Sequence, residues 1–319
     1  MDEPALLDAA RRDDRGAFDA LVAPHLRELH VHCYRMLGGV HDAEDALQET
    51  LLSAWRAIGA FEERSSVRSW LYRIATNACL AQIRRRPARV LPDGHGPAFT
   101  SVEDLGAPLL DVAWIEPYPD GPEAHYELRE TVELAFIAAL QHLPGNQRAV
   151  LILREVLAFS AAETGELLDL SAASVNSALQ RARKTLGDGV PARRADDPEI
   201  LAIVERFTDA WERADVPALL ELLTVDARLV MPPLPAWFDG RENVAMFFQK
   251  MFETPWRLVP TTANGQPAFA LYQLREGEFR LSGLNVLTVR GGLVDQITAF
   301  LDPATYAPFG FEEKFPGER

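Results

Sequence analysis

The chain of 319 residues carries 47 acidic against 32 basic side chains, a formal net charge of -15, with 48% hydrophobic and 25% charged residues. This composition describes a globular chain with length for two or three domains. The opening residues lack a basic segment followed by an apolar run, and nowhere do eighteen apolar residues follow one another, which argues against export and against a membrane span. Cys33 and Cys79, the only cysteines, fall in helix-like apolar patterns without metal-ligand spacing. They point to a reducing cytoplasm, and no metal or cofactor is called for.

Residues 1–86 read as helices throughout, with apolar residues at spacings of three and four and no alternating β-branched run. Within them Asp42–Ile58 forms an amphipathic helix that turns Ala43, Ala46, Leu47, Leu51, Ala54 and Trp55 inward and presents Asp45, Gln48, Glu49 and Arg56. That acidic, polar face suits a protein partner rather than DNA. The stretch "RSSVRSWLYRIATNACLAQIRRRPARVLP", residues 64–92, then holds seven arginines and no carboxylate. On a helix over Ser69–Arg85, the residues Leu71, Ile74, Ala75 and Ala78 share one arc, and Ser69, Arg73, Asn77 and Arg84 share another. Like charges concentrated on one element set a local potential that distant acids cannot cancel through physiological salt. The acid-free face is therefore suited to nucleic acid despite the net charge.

Prolines and glycines interrupt every pattern across 87–125, and between Asp93 and Leu128 eight acids occur without one Lys or Arg. This reads as a long acidic linker and not as a helix. Its segment "AWIEPYPD" is too aromatic for a mere tether, so Trp114, Ile115, Pro117 and Tyr118 are expected to dock on a surface. Helical periodicity returns over 126–190, where Ser160–Thr185 has helix-turn-helix grammar with Ser171 as N-cap of the second helix. Val175, Leu179, Ala182 and Leu186 form its inner stripe. Ser174, Asn176, Ser177, Gln180, Arg181, Arg183 and Lys184 supply the hydroxyls, amides and cations that read major-groove edges and hold phosphates.

These residues carry a resemblance. "DAEDALQETLLSAWRAIGAFEERSSVRSWLYRIATNACLAQIRRR" resembles the second conserved region of the extracytoplasmic-function sigma factors of bacterial RNA polymerase, and "LPGNQRAVLILREVLAFSAAETGELLDLSAASVNSALQRARKTL" resembles their fourth region. The resemblance covers roughly the first 190 residues and implies core RNA polymerase and promoter DNA as partners. It implies that the face around Asp42, Asp45, Gln48 and Glu49 docks on the clamp helices of the β′ subunit, with the β flap as a further contact. It also implies that loop 61–69 and the helix after it open the −10 element, and that the second helix of the helix-turn-helix reads the −35 element. The residue types fit those roles. Phe61, Arg64, Ser65, Ser66 and Trp70 give a short polar loop with an aromatic wall for an unstacked base. Asn77 can donate to and accept from a base edge, while Arg68, Arg73, Arg84, Arg85 and Arg86 hold the backbone, with Ser69 on the same face. In the family the connector threads towards the RNA exit path, to which an acid-only segment is electrostatically suited.

The remainder, 197–319, predicts an α+β domain: helices over Glu199–Arg213 and Val216–Leu223, then strand-like runs "ARLVMP", "AFALYQL", "EFRLSGLNVLTVR" and "LVDQITAFL". The chain is thus expected to be multidomain, with two all-α DNA-binding units followed by an α+β cone. The last part resembles the SnoaL-like or ketosteroid-isomerase-like cone fold, whose apolar pocket Trp237, Phe238, Phe247, Phe248, Trp256 and Tyr272 could line around a small-molecule ligand. A catalytic cone would need a base inside that pocket. No histidine follows His142, and spacing singles out none of Asp226, Asp239, Asp295 and Asp302. A regulatory role acting in cis is expected instead of catalysis. Two rival readings are a ligand-responsive helix-turn-helix regulator and a small-molecule isomerase or cyclase with a DNA-binding annex. The first does not explain an acidic-faced helix directly beside a basic one, and promoter-specific initiation on core polymerase separates all three readings.

Overall fold

A computed structural model describes residues 2–63, 65–120, 133–186 and 198–317. The chain forms two compact units, the first from residues 1–88 and 139–189 and the second from 89–138 and 190–319. The acidic connector therefore counts with the C-terminal part of the chain and does not stand by itself.

In the first unit, α1 (Glu3–Arg11) and α2 (Arg15–Val22) begin at Asp2 and Asp14, whose carboxylates accept from backbone amides of the first turn. The next helix, α3 (Leu26–Leu37), ends at Gly38 with φ 75°, a left-handed position that suits glycine. It is followed by α4 (Val40–Ala57) and α5 (Val67–Ile83), the latter capped by the Ser66 hydroxyl. These three pack pairwise, burying Leu29, Cys33 and Met36 of α3, Ala43 and Ala46 of α4, and Leu71, Ala75 and Cys79 of α5. Burial, then contact with Cys33, pushes the Cys79 thiol up, so the two cysteines act as core side chains. Of α6 (Leu134–Gln141) only the last turn, from Ala139, belongs to this unit; α7 (Gly145–Leu151) follows and runs into a π-helical turn over Ile152–Val156. A reciprocal capping box between Ser160 and Glu163 opens α8 (Ala161–Leu168), and α9 (Ala172–Leu186) follows. The turn between them needs glycine at Gly165, where an added Cβ would come within 2.5 Å of the Leu170 carbonyl oxygen.

The second unit contains α10 (Pro198–Glu212), α11 (Val216–Glu221) and a sheet of β1 (Leu223–Val230), β2 (Trp237–Asp239), β3 (Trp256–Ala263), β4 (Gln266–Arg275), β5 (Glu278–Arg290) and β6 (Leu293–Phe300). Strand order is β2-β1-β6-β5-β4-β3, with β1 and β6 parallel and every other pair antiparallel. Register shifts at Leu271/Tyr272 and Thr288/Val289 bend the sheet. Phe269 and Leu287 on one face join Phe207, Trp211 and Phe248 of the helices, α12 (Arg241–Met251) among them, in the main core. Ala270, Tyr272 and Phe279 form a separate cluster with Phe311 and Phe315, beyond α13 (Pro303–Tyr306). The strands β2 and β3 lie outside the runs expected from sequence: β2 has three residues, and β3 contains Pro260, tolerated because β3 is an edge strand. Among the described residues no helix is long and apolar enough to cross a membrane, and no His/Cys/Asp/Glu group could hold a metal ion.

Candidate nucleic-acid interface

On α9 the inner stripe Val175, Leu179 and Ala182 is buried, and this fixes the opposite arc towards solvent. Ser174, Asn176, Ser177, Gln180, Arg181, Arg183 and Lys184 are all exposed there. Ser171 takes the N-cap position, accepting from the Ser174 amide at 3.2 Å, and Arg183 pairs with Glu155 at 2.6 Å. The arc offers amide, hydroxyl and cation side by side, the set needed for base edges and phosphates.

The α5 face is more constrained. Arg73, Asn77, Arg84 and Arg85 are exposed, but Arg68 is half-buried and held by Glu28, its Nε donating at 2.9 Å. Its guanidinium lies 4.9 Å from the Tyr72 ring centroid and 5.4 Å from that of Phe159, the residue just before the helix-turn-helix segment. Tyr72 and Phe159 also meet edge to face at 5.6 Å, and Arg73 reaches Asp169 at 3.4 Å. Burial, reinforced by Glu28, holds the Tyr72 hydroxyl in its protonated, donating form. Arg148 of α7, buried, donates to the carbonyls of Met36, Gln141 and Leu143, tying the two helical regions together. Sequence singles out none of Glu28, Arg148, Phe159 and Asp169, because each acts through contacts distant along the chain.

In the loop before α5, Phe61 is buried and packs on Trp70 with ring centroids 4.8 Å apart, so it supports the loop and does not wall an open pocket. Ser66 is occupied by capping, accepting from the Ser69 amide at 3.1 Å and donating to the Ser69 hydroxyl at 3.0 Å. Ser65 is exposed, Trp70 is half-buried, and Arg64 lies outside the described residues.

On α4, Asp45, Gln48 and Glu49 are exposed around Leu52, an apolar side chain 50% exposed. Asp42 departs from the expectation: it is buried and bonded to Arg86, so that pair fastens the start of α4 to the end of α5 instead of offering a free carboxylate.

The connector lies along the C-terminal domain of its own unit. Asp93 pairs with Arg228 at 2.9 Å, the Trp237 indole donates to Gly96, and the Phe99 amide donates to the Trp237 carbonyl at 2.7 Å, extending β2. Trp114 and Ile115 are buried, with Ile115 and Val90 joined by a backbone hydrogen bond across the base of the loop. Pro117 is buried and Tyr118 half-buried. The β3–β4 turn grips the far end of the connector: the Tyr118 amide donates to Asn264 Oδ1 at 2.7 Å, Asp120 accepts from the Gly265 amide at 2.8 Å, and Gln266 accepts from the Leu134 amide at 2.8 Å.

The six aromatic residues expected to line one pocket do not converge. Trp237 is engaged by the connector, Phe238 and Phe248 are packed in the main core with Phe247 against them, and Trp256 donates to Met251. Tyr272 belongs to the other cluster, its hydroxyl donating to the Glu312 carbonyl at 3.1 Å. The four aspartates that spacing leaves open as bases are engaged or exposed: Asp226 and Asp295 with Arg290, Asp302 as a helix cap, Asp239 exposed.

The Sigma-70 region 2 family matches residues 21–89, the Sigma-70 region 4 family residues 133–186, and the SnoaL-like domain family residues 204–297. The chain is similar to the ECF RNA polymerase sigma factor SigG of Mycobacterium tuberculosis, 40% identical over 315 residues that span 94% of this chain and 85% of that one. It is also similar to ECF RNA polymerase sigma factor SigM of that species, 35% identical over 57% of this chain and 81% of the other. The fold matches the crystal structure of the Mycobacterium tuberculosis extracytoplasmic function sigma factor SigJ with a TM-score of 0.62 at 21% identity, covering 88% of this chain and 96% of that one.

Proposed function

The chain belongs to the ECF RNA polymerase sigma factors, and from that premise we propose how it binds core RNA polymerase and directs promoter-specific initiation in the cytoplasm. The observation that carries the reading is that one compact unit bears three chemically distinct faces: acidic on α4, acid-free and basic on α5, amide-rich and basic on α9. Asp45, Gln48 and Glu49, set around exposed Leu52, dock on the β′ clamp helices, and the β flap is a further contact. Ser65, Arg73, Asn77, Arg84 and Arg85 engage the −10 element, and the exposed arc of α9 reads the −35 element.

The −10 helix cannot present Arg68 and Arg73 fully while Phe159 and Asp169 lie on them, so engagement of the promoter requires the two helical regions to part. Control in cis then has a physical handle. The connector joins those regions, and its grip on the β3–β4 turn limits how far they separate. The engaged or exposed aspartates favour control over catalysis for the C-terminal domain, and a small-molecule ligand would enter this scheme as an effector of that grip. The test is transcription by core polymerase, with and without the protein, on a promoter library. Specific transcripts are expected with the full chain and with a version ending at residue 190, and their absence in both would refute the assignment.

A further inference from the structure

We infer that Arg11 is a positioning residue for the loop that receives the unstacked −10 base, an inference that rests on the role proposed for that loop. Arg11 lies before residue 21, where the sigma-70 region 2 match begins, so nothing in that match assigns it a task. It stands in the last turn of α1, which is anchored by the buried side chains of Leu7 and Ala10. Its guanidinium makes two contacts with the loop at once: Nη1 donates to Glu63 Oε1 at 2.7 Å, and Nη2 donates to the Phe61 carbonyl. Asp8, one turn earlier, holds the same guanidinium at 3.6 Å.

Those contacts fall where the loop most needs them. Glu63 has φ 57°, the left-handed region that a side chain larger than glycine's disfavours, so something outside the residue must maintain it. The ends of the loop are fixed by other means, Phe61 by packing on Trp70 and Ser66 by capping α5. Arg11 adds a hold on Glu63, between those ends, and ties it to the Phe61 carbonyl at the first of them. A planar fork suits this task because it spans a carbonyl and a carboxylate two residues apart, whereas a lysine ammonium presents a single point. With Glu63 held, Ser65 and the segment leading into α5 keep one geometry, and a pocket of one geometry discriminates between bases.

The experiment uses holoenzyme assembled from core polymerase and the full chain, on promoters substituted one base at a time across the −10 element. Opening is read by permanganate reactivity, and affinity by half-saturating holoenzyme. Arg11→Ala is expected to lower the preference for the best −10 base over its substitutes about five- to tenfold, a loss in the range of one base contact. Core affinity and the response to −35 substitutions should stay at wild-type values. Arg11→Lys should recover part of the preference. A uniform slowing on every promoter, with preference intact, would overturn the inference by showing a merely structural role. Ser65→Ala separates the two levels. If it changes −10 preference while Arg11→Ala does not, the inference falls and the loop's role stands. If neither changes it, the role of the loop falls and the inference with it.

Discussion

Lowering the pH from 7 to 5 is expected to loosen the packing of α5 on α3 through one side chain, His32. This residue is fully buried, shares a 2.9 Å hydrogen bond with the Thr76 hydroxyl, and meets the Tyr72 ring edge to face at 5.1 Å. Burial, with the charge of Arg35 adding to it, lowers its pKa from 6.5 to about 3. Above pH 6.5 neither folded nor unfolded chain holds the proton. Below it the unfolded chain takes the proton, and the folded chain refuses it until about pH 3, so stability is lost as the pH falls through that window. Between pH 7 and pH 5 the loss from this group amounts to about 2 kcal/mol, or roughly 25-fold in an opening equilibrium. Hydrogen exchange of peptides from α3 and α5, corrected for intrinsic rates, measures that opening. His32→Gln keeps a polar partner for Thr76 but cannot titrate. Its protection should therefore change much less between the two pH values, the difference from wild type isolating His32 from the carboxylates. Equal pH dependence in the two proteins would refute the reasoning.

Three further outcomes are expected. Asp45→Arg and Leu52→Glu should each weaken binding to core polymerase by roughly 10-fold or more with little change in folding, as measured by competition for core, because both change the exposed α4 face proposed to dock there. Phe159→Ala should increase binding of the free chain to single-stranded −10 DNA about threefold or more, since it removes a ring worth roughly 0.5–1.5 kcal/mol against Tyr72 and uncovers one side of the Arg68 guanidinium, which Glu28 still orients; unchanged binding would mean that the covering is inconsequential. Arg181→Ala should lower the salt slope of −35 duplex binding by about one unit while Gln180→Ala leaves it nearly unchanged, and equal slopes would show their roles to be confused.

The features legible in the sequence are those set by local periodicity. The inner stripe of α9 determines its outer arc, and the spacing of Leu71 and Ala75 determines which side of α5 faces away from the core. What escapes depends on partners far along the chain. Asp42 looks equivalent to Asp45 on a helical projection, yet Arg86 draws it into a buried pair. Tyr272 groups with Phe248 by aromatic character, but strand alternation and a register shift beside it place it in the cluster covered by Phe315. The aromatic connector suggests docking, while the receiving surface, the turn at Asn264, Gly265 and Gln266, carries no mark in sequence beyond an ordinary hairpin turn.

That grip sets a length scale. Fully extended, the chain from Ile83 at the end of α5 to Leu134 at the start of α6 could reach roughly 170 Å, and as a random coil it would average about 40 Å. Over residues 89–120 the connector is laid along the C-terminal domain and fastened at Asp93, Phe99, Tyr118 and Asp120, and Leu134 is fastened to the same turn as Tyr118 and Asp120, so the reach is set by where those points are held. On the proposed reading, the helices α5 and α9 then behave like calliper jaws whose opening the grip narrows, whereas letting go of the turn allows a wider range of openings. Promoters that differ only in the number of base pairs between their two elements would therefore be ranked sharply by a chain whose connector is fastened and nearly alike by one whose connector is loose.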